Sequence, residues 1–319
     1  MTGVLVRAIA ITGFGADPEI TQLPAPEPGP REVFVRIRAA AYNPVDSKVA
    51  AGVMKGQVPF TFPLILGTDG AGVVEATGAE VTAFDPGDEV YGRFADYPRG
   101  LGSFAEYGVV AEDGSIAHMP HGMLFEQAAA VPTATGTAHE AVETARLDTG
   151  KTVLIVGATG GVGQSAVQLA ALRGARVIAT AAPDAEELVR DLGAAETVDH
   201  TAGSVADQVL ARHPDGIDAV LDLVEPAEAI GDVVRVLRPG GIIVSTVGAL
   251  DPDELTEREI RAVNLVHRPS GALLATLADL IDSGELRVRI QHRLTFDEVP
   301  ARLVDFERGH ARGKVVIEI

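Results

Sequence analysis

Residues 153–163 join an apolar run to a glycine-rich turn, and no other stretch constrains the fold as strongly. The run Val153–Val156 predicts a buried strand, and a helical pattern follows from Gln164. Glycines between a strand and a helix let a phosphate approach free N–H groups at the positive end of the helix dipole. The alternative is a turn that uses its glycines only for packing. The three positions of the dinucleotide fingerprint hold Ala158, Gly160 and Gly163.

This pattern predicts a bound dinucleotide. Ligands of parallel sheets lie at the carboxyl ends of the strands, so the ends of later strands add candidate contacts. The main-chain groups of Val247 and Gly248, after a later predicted strand, are candidates for holding a carboxamide. His200, after another predicted strand, is a candidate for stacking near an adenine. The predicted cofactor contacts are Ala158, Thr159, Gly160, Gly161, Val162, Gly163, Thr180, Ala181, His200, Asp222, Val247 and Gly248.

Composition excludes several classes of function. The formal net charge of −19 opposes binding to nucleic acid or to anionic membranes. The absence of cysteine excludes disulfides, a thiol nucleophile and cysteine-ligated zinc. No apolar run reaches the roughly 18 residues of a membrane span, and no signal peptide is evident. We therefore expect a cytoplasmic protein with a small-molecule substrate.

The pattern of turns and apolar runs predicts an α/β protein of two domains. Residues 1–122 are rich in proline and glycine, which favours a compact, distorted β-barrel over long helices. Residues 123–261 alternate strand and helix patterns, which predicts a doubly wound parallel sheet. Residues 262–319 are too short for a domain and are expected to return to the first one. The predicted strands of the second domain are Val153–Val156, Arg176–Thr180, Thr197–Asp199, Asp218–Val224 and Gly241–Val247. A helix is predicted over Ala227–Leu237, ended by Arg238-Pro239-Gly240.

Motifs along nearly the whole chain resemble the zinc-independent quinone oxidoreductases and enoyl reductases of the medium-chain dehydrogenase/reductase superfamily. The resemblance implies a GroES-like β-barrel catalytic domain with an inserted Rossmann domain, an active site in the cleft between them, and a homodimer. The motifs are Ala41-Tyr42-Asn43-Pro44-Val45-Asp46, Pro63 to Gly72, Gly87-Asp88-Glu89-Val90-Tyr91-Gly92, Gly102 to Tyr107, Gly136-Thr137-Ala138, the glycine turn, Gln168-Leu169-Ala170, Leu192-Gly193-Ala194 and Arg312-Gly313-Lys314.

The chain departs from the zinc-dependent branch of that superfamily where the metal would bind. Those alcohol dehydrogenases have a cysteine in the segment that corresponds to 41–46, and Gly-His-Glu where this chain has Gly67-Thr68-Asp69. The eight histidines show no metal-ligand spacing apart from a weak pair, His118 and His121. We therefore predict that no metal is bound.

The turn after the second predicted strand favours NADPH over NADH. An acidic residue there usually binds the ribose 2′-hydroxyl of NAD, and it would repel a 2′-phosphate. Here the strand ends at Thr180 and Ala181, and the first carboxylate is Asp184. No lysine or arginine follows directly, and Arg190 lies a helix away, so NADH remains the alternative.

The resemblance also implies residues near the reacting atoms, each with a structural alternative. Asn43 and Thr137 correspond to neighbours of the nicotinamide, but Asn43 also suits a turn before proline, and Thr137 a helix N-cap. Tyr42 is a candidate to hydrogen-bond a substrate oxygen or simply to pack. Asp46 is more typical of an Asx-turn or cap than of a catalytic acid. Lys314 corresponds to a lysine near the cofactor, or is a solvated lysine at an edge strand.

Without a metal to act as a Lewis acid, the natural reaction is hydride transfer to an acceptor that conjugation already activates. We therefore predict an NADPH-dependent reductase of a quinone or an α,β-unsaturated carbonyl, with the protein supplying orientation and hydrogen-bond donors. The alternatives are an enoyl reductase acting on a polyketide or acyl thioester, and a non-catalytic NADPH-binding protein.

Overall fold

The computed structural model describes residues 4–308 and 312–319. Three short 3₁₀ helices, at Tyr97–Arg99, Pro183–Ala185 and Phe296–Glu298, connect its longer elements. In chain order the longer elements are β1 (Leu5–Ile11), β2 (Glu19–Pro24), β3 (Glu32–Tyr42), α1 (Pro44–Ala50), β4 (Leu64–Ile65), β5 (Asp69–Thr77), β6 (Glu89–Arg93), β7 (Tyr107–Ala111), β8 (Ile116–His118), α2 (Phe125–Ala129), α3 (Pro132–Ala145), β9 (Thr152–Val156), α4 (Gly161–Leu172), β10 (Arg176–Thr180), α5 (Glu186–Asp191), β11 (Glu196–Val198), α6 (Val205–Leu210), β12 (Ile217–Asp222), α7 (Ile230–Val234), β13 (Leu237–Ser245), α8 (Pro252–Thr256), β14 (Arg261–Asn264), α9 (Gly271–Asp282), β15 (Ile290–Thr295), α10 (Val299–Arg308) and β16 (Lys314–Glu318).

The chain forms two compact units, one of which is discontinuous in sequence. The first unit runs to Gly136 and resumes at Pro269, and the second is Thr137–Arg268. The C-terminal segment therefore belongs with the N-terminal unit, the arrangement that the sequence predicts. The predicted boundaries at 122 and 262 both lie earlier in the chain than these, and the second falls inside β14.

In the first unit, β3 is the central strand of a bent, mostly antiparallel sheet. The sheet has the order β15-β16-β3-β5-β6-β8, and β7 also pairs with β3. The strands β15 and β16 pair in parallel. A second sheet has the order β2-β1-β4. Because β16 and β5 flank β3, its last residues lie between the first residues of both neighbours: Tyr42 is opposite Val315, and Ala41 is opposite Asp69. This register assembles the polar cluster described below.

The second unit is an entirely parallel six-stranded sheet. Its order is β11-β10-β9-β12-β13-β14, so the chain runs outward from β9 to one edge and then outward from β12 to the other. That order is the doubly wound Rossmann arrangement, whose ligands bind where the direction reverses, at the carboxyl ends of β9 and β12. Fully buried aliphatic side chains, including Leu154, Ile178 and Val220, form its core. The predicted fold class is confirmed.

Three details of the second unit differ from the sequence prediction. A helix is predicted to run from 227 to 237, but α7 ends at Val234, because Leu237 already pairs with Ile217 in the sheet. Arg238-Pro239-Gly240 lies inside the irregular start of β13 rather than stopping a helix. The sixth strand, β14, carries too few large apolar residues to be recognised from sequence. Among residues 4–308 and 312–319, no helix has the length and apolar character to cross a membrane.

Candidate cofactor and active site

The turn between β9 and α4 brings helix and strand into very close contact. A Cβ atom at Gly163 would lie 2.2 Å from the carbonyl oxygen of Gly157, so no side chain fits there. Gly157 itself has a φ of +83°, which favours glycine. Gly160 differs, because a Cβ there would lie 3.4 Å from the same oxygen, an ordinary contact. Packing therefore explains the glycine at 163 but not the glycine at 160.

The first turn of α4 has the donors that a pyrophosphate requires. Gly160 is the N-cap, and the first N–H to bond back within the helix is that of Gln164, to the Gly160 carbonyl at 3.0 Å. The N–H groups of Gly161, Val162 and Gly163 therefore have no acceptor within the helix, and they lie at the positive end of its dipole. Gln164 Nε2 donates to the Thr159 carbonyl at 2.9 Å, which holds the turn in place. The predicted contacts of the turn thus fit a dinucleotide phosphate.

The carboxyl end of β10 is hydrogen-bonded to the glycine turn between β9 and α4. The buried Thr180 hydroxyl accepts from the Gly157 N–H at 2.9 Å, and the Ala181 N–H donates to the Val198 carbonyl at 2.9 Å. Both side chains are buried, and Ala158 is fully buried as well. Their position beside the phosphate turn agrees with the prediction, while their contact with a cofactor stays a prediction.

The loop that would face the 2′-position of an adenosine ribose is acidic. Asp184, in the 3₁₀ turn after β10, is exposed, and so is His200 beyond β11. Arg190, the nearest cation in sequence, binds Glu186 Oε1 through Nε at 3.0 Å and Nη2 at 2.7 Å. The same Glu186 oxygen accepts from the Thr197 hydroxyl at 2.8 Å. Arg190 is thus held in a network between α5 and β11.

Asp222, at the end of β12, organises the loops at the carboxyl edge of the sheet. Its Oδ2 accepts from the Ser245 hydroxyl at 2.6 Å, and its Oδ1 accepts from the Glu225 N–H at 2.8 Å. Burial raises the pKa of this carboxyl above its ordinary value. Val247 and Gly248 lie in the loop after β13, beyond Thr246, and Gly248 has a φ of +77°. The main chain of that loop lies at the carboxyl ends of the strands. Both oxygens of the Asp222 carboxylate already accept hydrogen bonds from the protein.

In the first unit, Asn43 lies at the centre of a buried polar cluster. It follows the last residue of β3 and caps α1, and only 2% of its surface is exposed. Its Nδ2 donates to Asp69 Oδ2 at 2.9 Å, and its Oδ1 accepts from Lys314 Nζ at 2.6 Å. Lys314 Nζ also donates to the Tyr42 carbonyl at 2.9 Å. Lys314 is thus a buried residue bound to the end of β3, and the alternative of a solvated lysine is wrong.

Asp69 connects this cluster to the start of α3. Its carboxylate accepts from the Thr133 N–H at 2.9 Å and from the Thr133 hydroxyl at 2.8 Å. Thr137 is buried within α3, which begins at Pro132, so the alternative that Thr137 is a helix N-cap is wrong. The role of Thr137 near a nicotinamide stays a prediction.

Asp46 has the capping role that its spacing indicates, in an unusually buried place. Its Oδ2 accepts from the Asn43 N–H at 2.8 Å, and its Oδ1 accepts from the Thr68 hydroxyl at 2.7 Å. Burial raises the pKa of this carboxyl to about 7, and the nearby Asp69 adds to the rise; the two hydrogen bonds and Lys314 oppose it. Burial likewise lowers the pKa of Lys314.

Tyr42 is packed rather than presented to solvent. Its ring is buried, and its hydroxyl forms a hydrogen bond of 2.9 Å with the Ser47 hydroxyl. The sequence motifs do not identify Asp69, Thr68 and Thr133 as members of the site. The only sequence signal was Gly67-Thr68-Asp69, where zinc-dependent relatives have Gly-His-Glu. Within residues 4–308 and 312–319, no three His, Cys, Asp or Glu side chains are grouped to hold a metal ion.

Comparisons with known proteins agree with this architecture. The family model described as alcohol dehydrogenase GroES-like domain matches residues 29–121, and the one described as zinc-binding dehydrogenase matches residues 192–317. The chain is 33% identical to a chloroplastic quinone oxidoreductase of Triphysaria versicolor, over 100% of both chains. It is also 33% identical to an NADPH-dependent alkenal/one oxidoreductase of Arabidopsis thaliana, over 92% of this chain and 73% of the relative.

The same family is found among solved structures. The structure of a quinone oxidoreductase from Coxiella burnetii superimposes with a TM-score of 0.87 at 29% identity, covering 99% of this chain and 100% of that one. The relatives, the two matched family models and the doubly wound sheet point to one assignment. The chain is an oxidoreductase that binds a nicotinamide cofactor, and it belongs to the zinc-independent quinone oxidoreductase branch of the medium-chain dehydrogenase/reductase superfamily.

Proposed function

We propose that this chain is an NADPH-dependent reductase that transfers hydride to a quinone or an α,β-unsaturated carbonyl without a metal ion. The observation that carries the proposal is the turn at Gly160, the N-cap of α4. The first N–H groups of the helix have no acceptor within it, and a Cβ would fit at Gly160, so packing alone does not explain the glycine. The names of the two relatives, a quinone oxidoreductase and an alkenal/one oxidoreductase, support the substrate class.

The protein's own contribution is binding and orientation. A reduced nicotinamide supplies the hydride when it is bound. The N–H groups of Gly161, Val162 and Gly163 hold the pyrophosphate, and the main chain at Val247 and Gly248 holds the carboxamide. Asn43 and Thr137 are the proposed neighbours of the nicotinamide. None of these groups is a Lewis acid, which restricts the acceptor to one that conjugation activates.

The choice of NADPH as the donor belongs to this proposal. No carboxylate ends β10, where an acid would repel a 2′-phosphate, and one relative is named NADPH-dependent. The acidic loop at Asp184 acts against the same phosphate. We therefore expect NADPH to be preferred over NADH by a modest ratio of kcat/KM.

A steady-state assay tests the function. The purified protein is supplied with NADPH and, in separate reactions, with a simple benzoquinone, a simple enone, the matching saturated ketone or an enoyl thioester. A further reaction supplies NADP⁺ and a primary alcohol. We expect turnover with the first two only, unchanged by a chelator. Turnover only with an enoyl thioester would favour the enoyl reductase alternative. Cofactor binding without turnover on any acceptor would contradict the proposal.

A homodimer and a cytoplasmic location are also part of the proposal. In the part of the second unit that the structure describes, β14 pairs on one side only, with β13. An edge strand offers unpaired N–H and C=O groups to a second copy, and the exposed Val266 follows it. Light scattering after gel filtration is expected to give twice the chain mass, and a monomer would contradict this. Charge and composition are what support the proposed cytoplasmic location, and fractionation of the source cells tests it.

A further inference from the structure

The Asn43 amide has a chemically different partner on each side. Lys314 Nζ donates to Oδ1 at 2.6 Å, and Asp69 Oδ2 accepts from Nδ2 at 2.9 Å. An ammonium group can only donate, and a carboxylate oxygen can only accept. A flipped amide would therefore place its NH₂ against the ammonium and its oxygen against the carboxylate. Only one orientation of the amide satisfies both partners.

Both partners are themselves fixed by other bonds. Lys314 Nζ also donates to the Tyr42 carbonyl at 2.9 Å, and Asp69 also accepts twice from Thr133, at 2.9 and 2.8 Å. Lys314 begins β16 and Asp69 begins β5, the two strands that flank β3. All of these side chains except that of Thr133 are almost fully buried. The orientation of the amide is thus set by the register of three strands.

We propose that Lys314 and Asp69 are positioning residues that lock the Asn43 amide in one orientation for the reaction. This inference rests on the proposed function, in which Asn43 is a neighbour of the nicotinamide. Lys314 then acts through Asn43 rather than by binding the cofactor. A misplacement of about 1 Å at a reacting group can lower a rate by about 100-fold, so the lock has a measurable consequence.

The alternative is that Lys314 and Asp69 only stabilise the fold. Buried polar groups often do no more than satisfy one another. In that case their removal lowers stability, but it does not change turnover through Asn43. Stability measurements alone do not separate the two roles, so the test needs a signal from the Asn43 amide itself.

The variants are chosen to remove one partner at a time. Lys314→Met deletes the donor and keeps the chain length, and Lys314→Gln restores a donor without the charge. Asp69→Asn keeps the size of the side chain, but its amide can turn either an acceptor oxygen or a donor NH₂ toward Asn43. Lys48→Met is the matched control, because Lys48 is exposed on α1.

The first readout is the side-chain amide of Asn43 in the protein without cofactor. Its ¹⁵N–¹H resonances are identified by their loss in Asn43→Ala. We expect two resolved protons that exchange slowly with water in the wild type and in Lys48→Met. We expect faster exchange in Lys314→Met and Asp69→Asn, with partial recovery in Lys314→Gln. Unchanged exchange in the first two variants would overturn the lock, whatever the protein's activity.

The second readout is turnover with NADPH and a quinone or enone. We expect Lys314→Met and Asp69→Asn to lower kcat by about 10- to 100-fold, with KM for NADPH and its Kd changed less than threefold. In an Asn43→Ala background the same changes are expected to have no further effect on kcat. A full additional loss there would overturn the proposal. An inactive wild type would instead contradict the proposed function, since the amide signal is measured independently.

Discussion

Asp69 caps α3 through Thr133, which lies 64 residues later in the chain, because its carboxylate accepts from both the N–H and the hydroxyl of Thr133. The first N–H groups of a helix have no acceptor within it, and α3 starts with Pro132, which has no N–H to donate. A carboxylate from the start of β5 therefore supplies the acceptor that the local sequence lacks.

The first prediction concerns this cap. Thr133→Val removes the hydroxyl that donates to Asp69 Oδ1, and leaves a buried carboxylate oxygen without that donor. We expect the free energy of unfolding in urea to fall by about 1–3 kcal/mol. Thr276→Val is the control, because the Thr276 hydroxyl bonds to the preceding turn of an exposed helical surface. An equal loss in both variants would contradict the assigned role.

The second prediction concerns pH. The pKa of Asp46 is raised from 3.8 to about 7 in the folded protein, mainly by burial. The folded state therefore binds this proton more tightly than the unfolded state does. The stability linked to Asp46 is full below about pH 4 and is lost as the pH rises through about 7. We expect Asp46→Asn to flatten the decline in unfolding free energy between about pH 4 and pH 7, the range set by those two pKa values.

The control for pH is Asp17→Asn, an exposed position in the same unit. Its stability curve is expected to run parallel to that of the wild type. If Asp46→Asn also ran parallel, Asp46 would not be the group that titrates in this range.

The third prediction concerns the phosphate turn. A Cβ atom fits at Gly160, so Gly160→Asp is expected to fold. Its carboxylate would occupy the space proposed for the pyrophosphate and would repel its negative charge. We expect Kd for NADPH to rise at least about tenfold, or 1.4 kcal/mol, in a fluorescence titration. Gly231→Asp is the matched control, since it adds the same charge to an open position in the same unit. Unchanged affinity for NADPH in Gly160→Asp would show that the phosphate does not bind at this turn.

The fourth prediction concerns the 2′-phosphate. Asp184 follows the carboxyl end of β10, and Arg190 is held by Glu186. Asp184→Arg places a cation where the loop has none, so the ratio of kcat/KM for NADPH over NADH is expected to rise about tenfold or more. Asp215→Arg is the control, because it makes the same charge change just before β12. That position is at the amino ends of the parallel strands, whereas Asp184 follows a carboxyl end. An equal rise in both variants would indicate a general effect of charge.

The phosphate turn was predictable because its signal is local. Strand, glycines and helix follow within about twenty residues, and each has a pattern set by backbone geometry. The same holds for β10, whose predicted bounds agree with the structure. In contrast, the sequence shows no sign of β14, since its pairing with β13 depends on the sheet rather than on its own residues.

The polar cluster was only partly predictable, for a different reason. Asn43 was recognised from its motif, but its partners lie 26 and 271 residues away. They meet because β5 and β16 flank β3, an order that no local pattern contains. From its motif alone Lys314 is expected near the cofactor or in solvent, whereas the sheet order buries it against the end of β3.

The different surroundings of Gly160 and Gly163 bear on how such chains diverge. A descendant that lost its cofactor would still need glycine at 163, because the Gly157 carbonyl leaves no room for a Cβ. Position 160 would be released, since packing leaves room for a Cβ there and only the proposed phosphate would need the space. Among distant relatives, the identity of the residue at 160 is therefore the better guide to retained nucleotide binding.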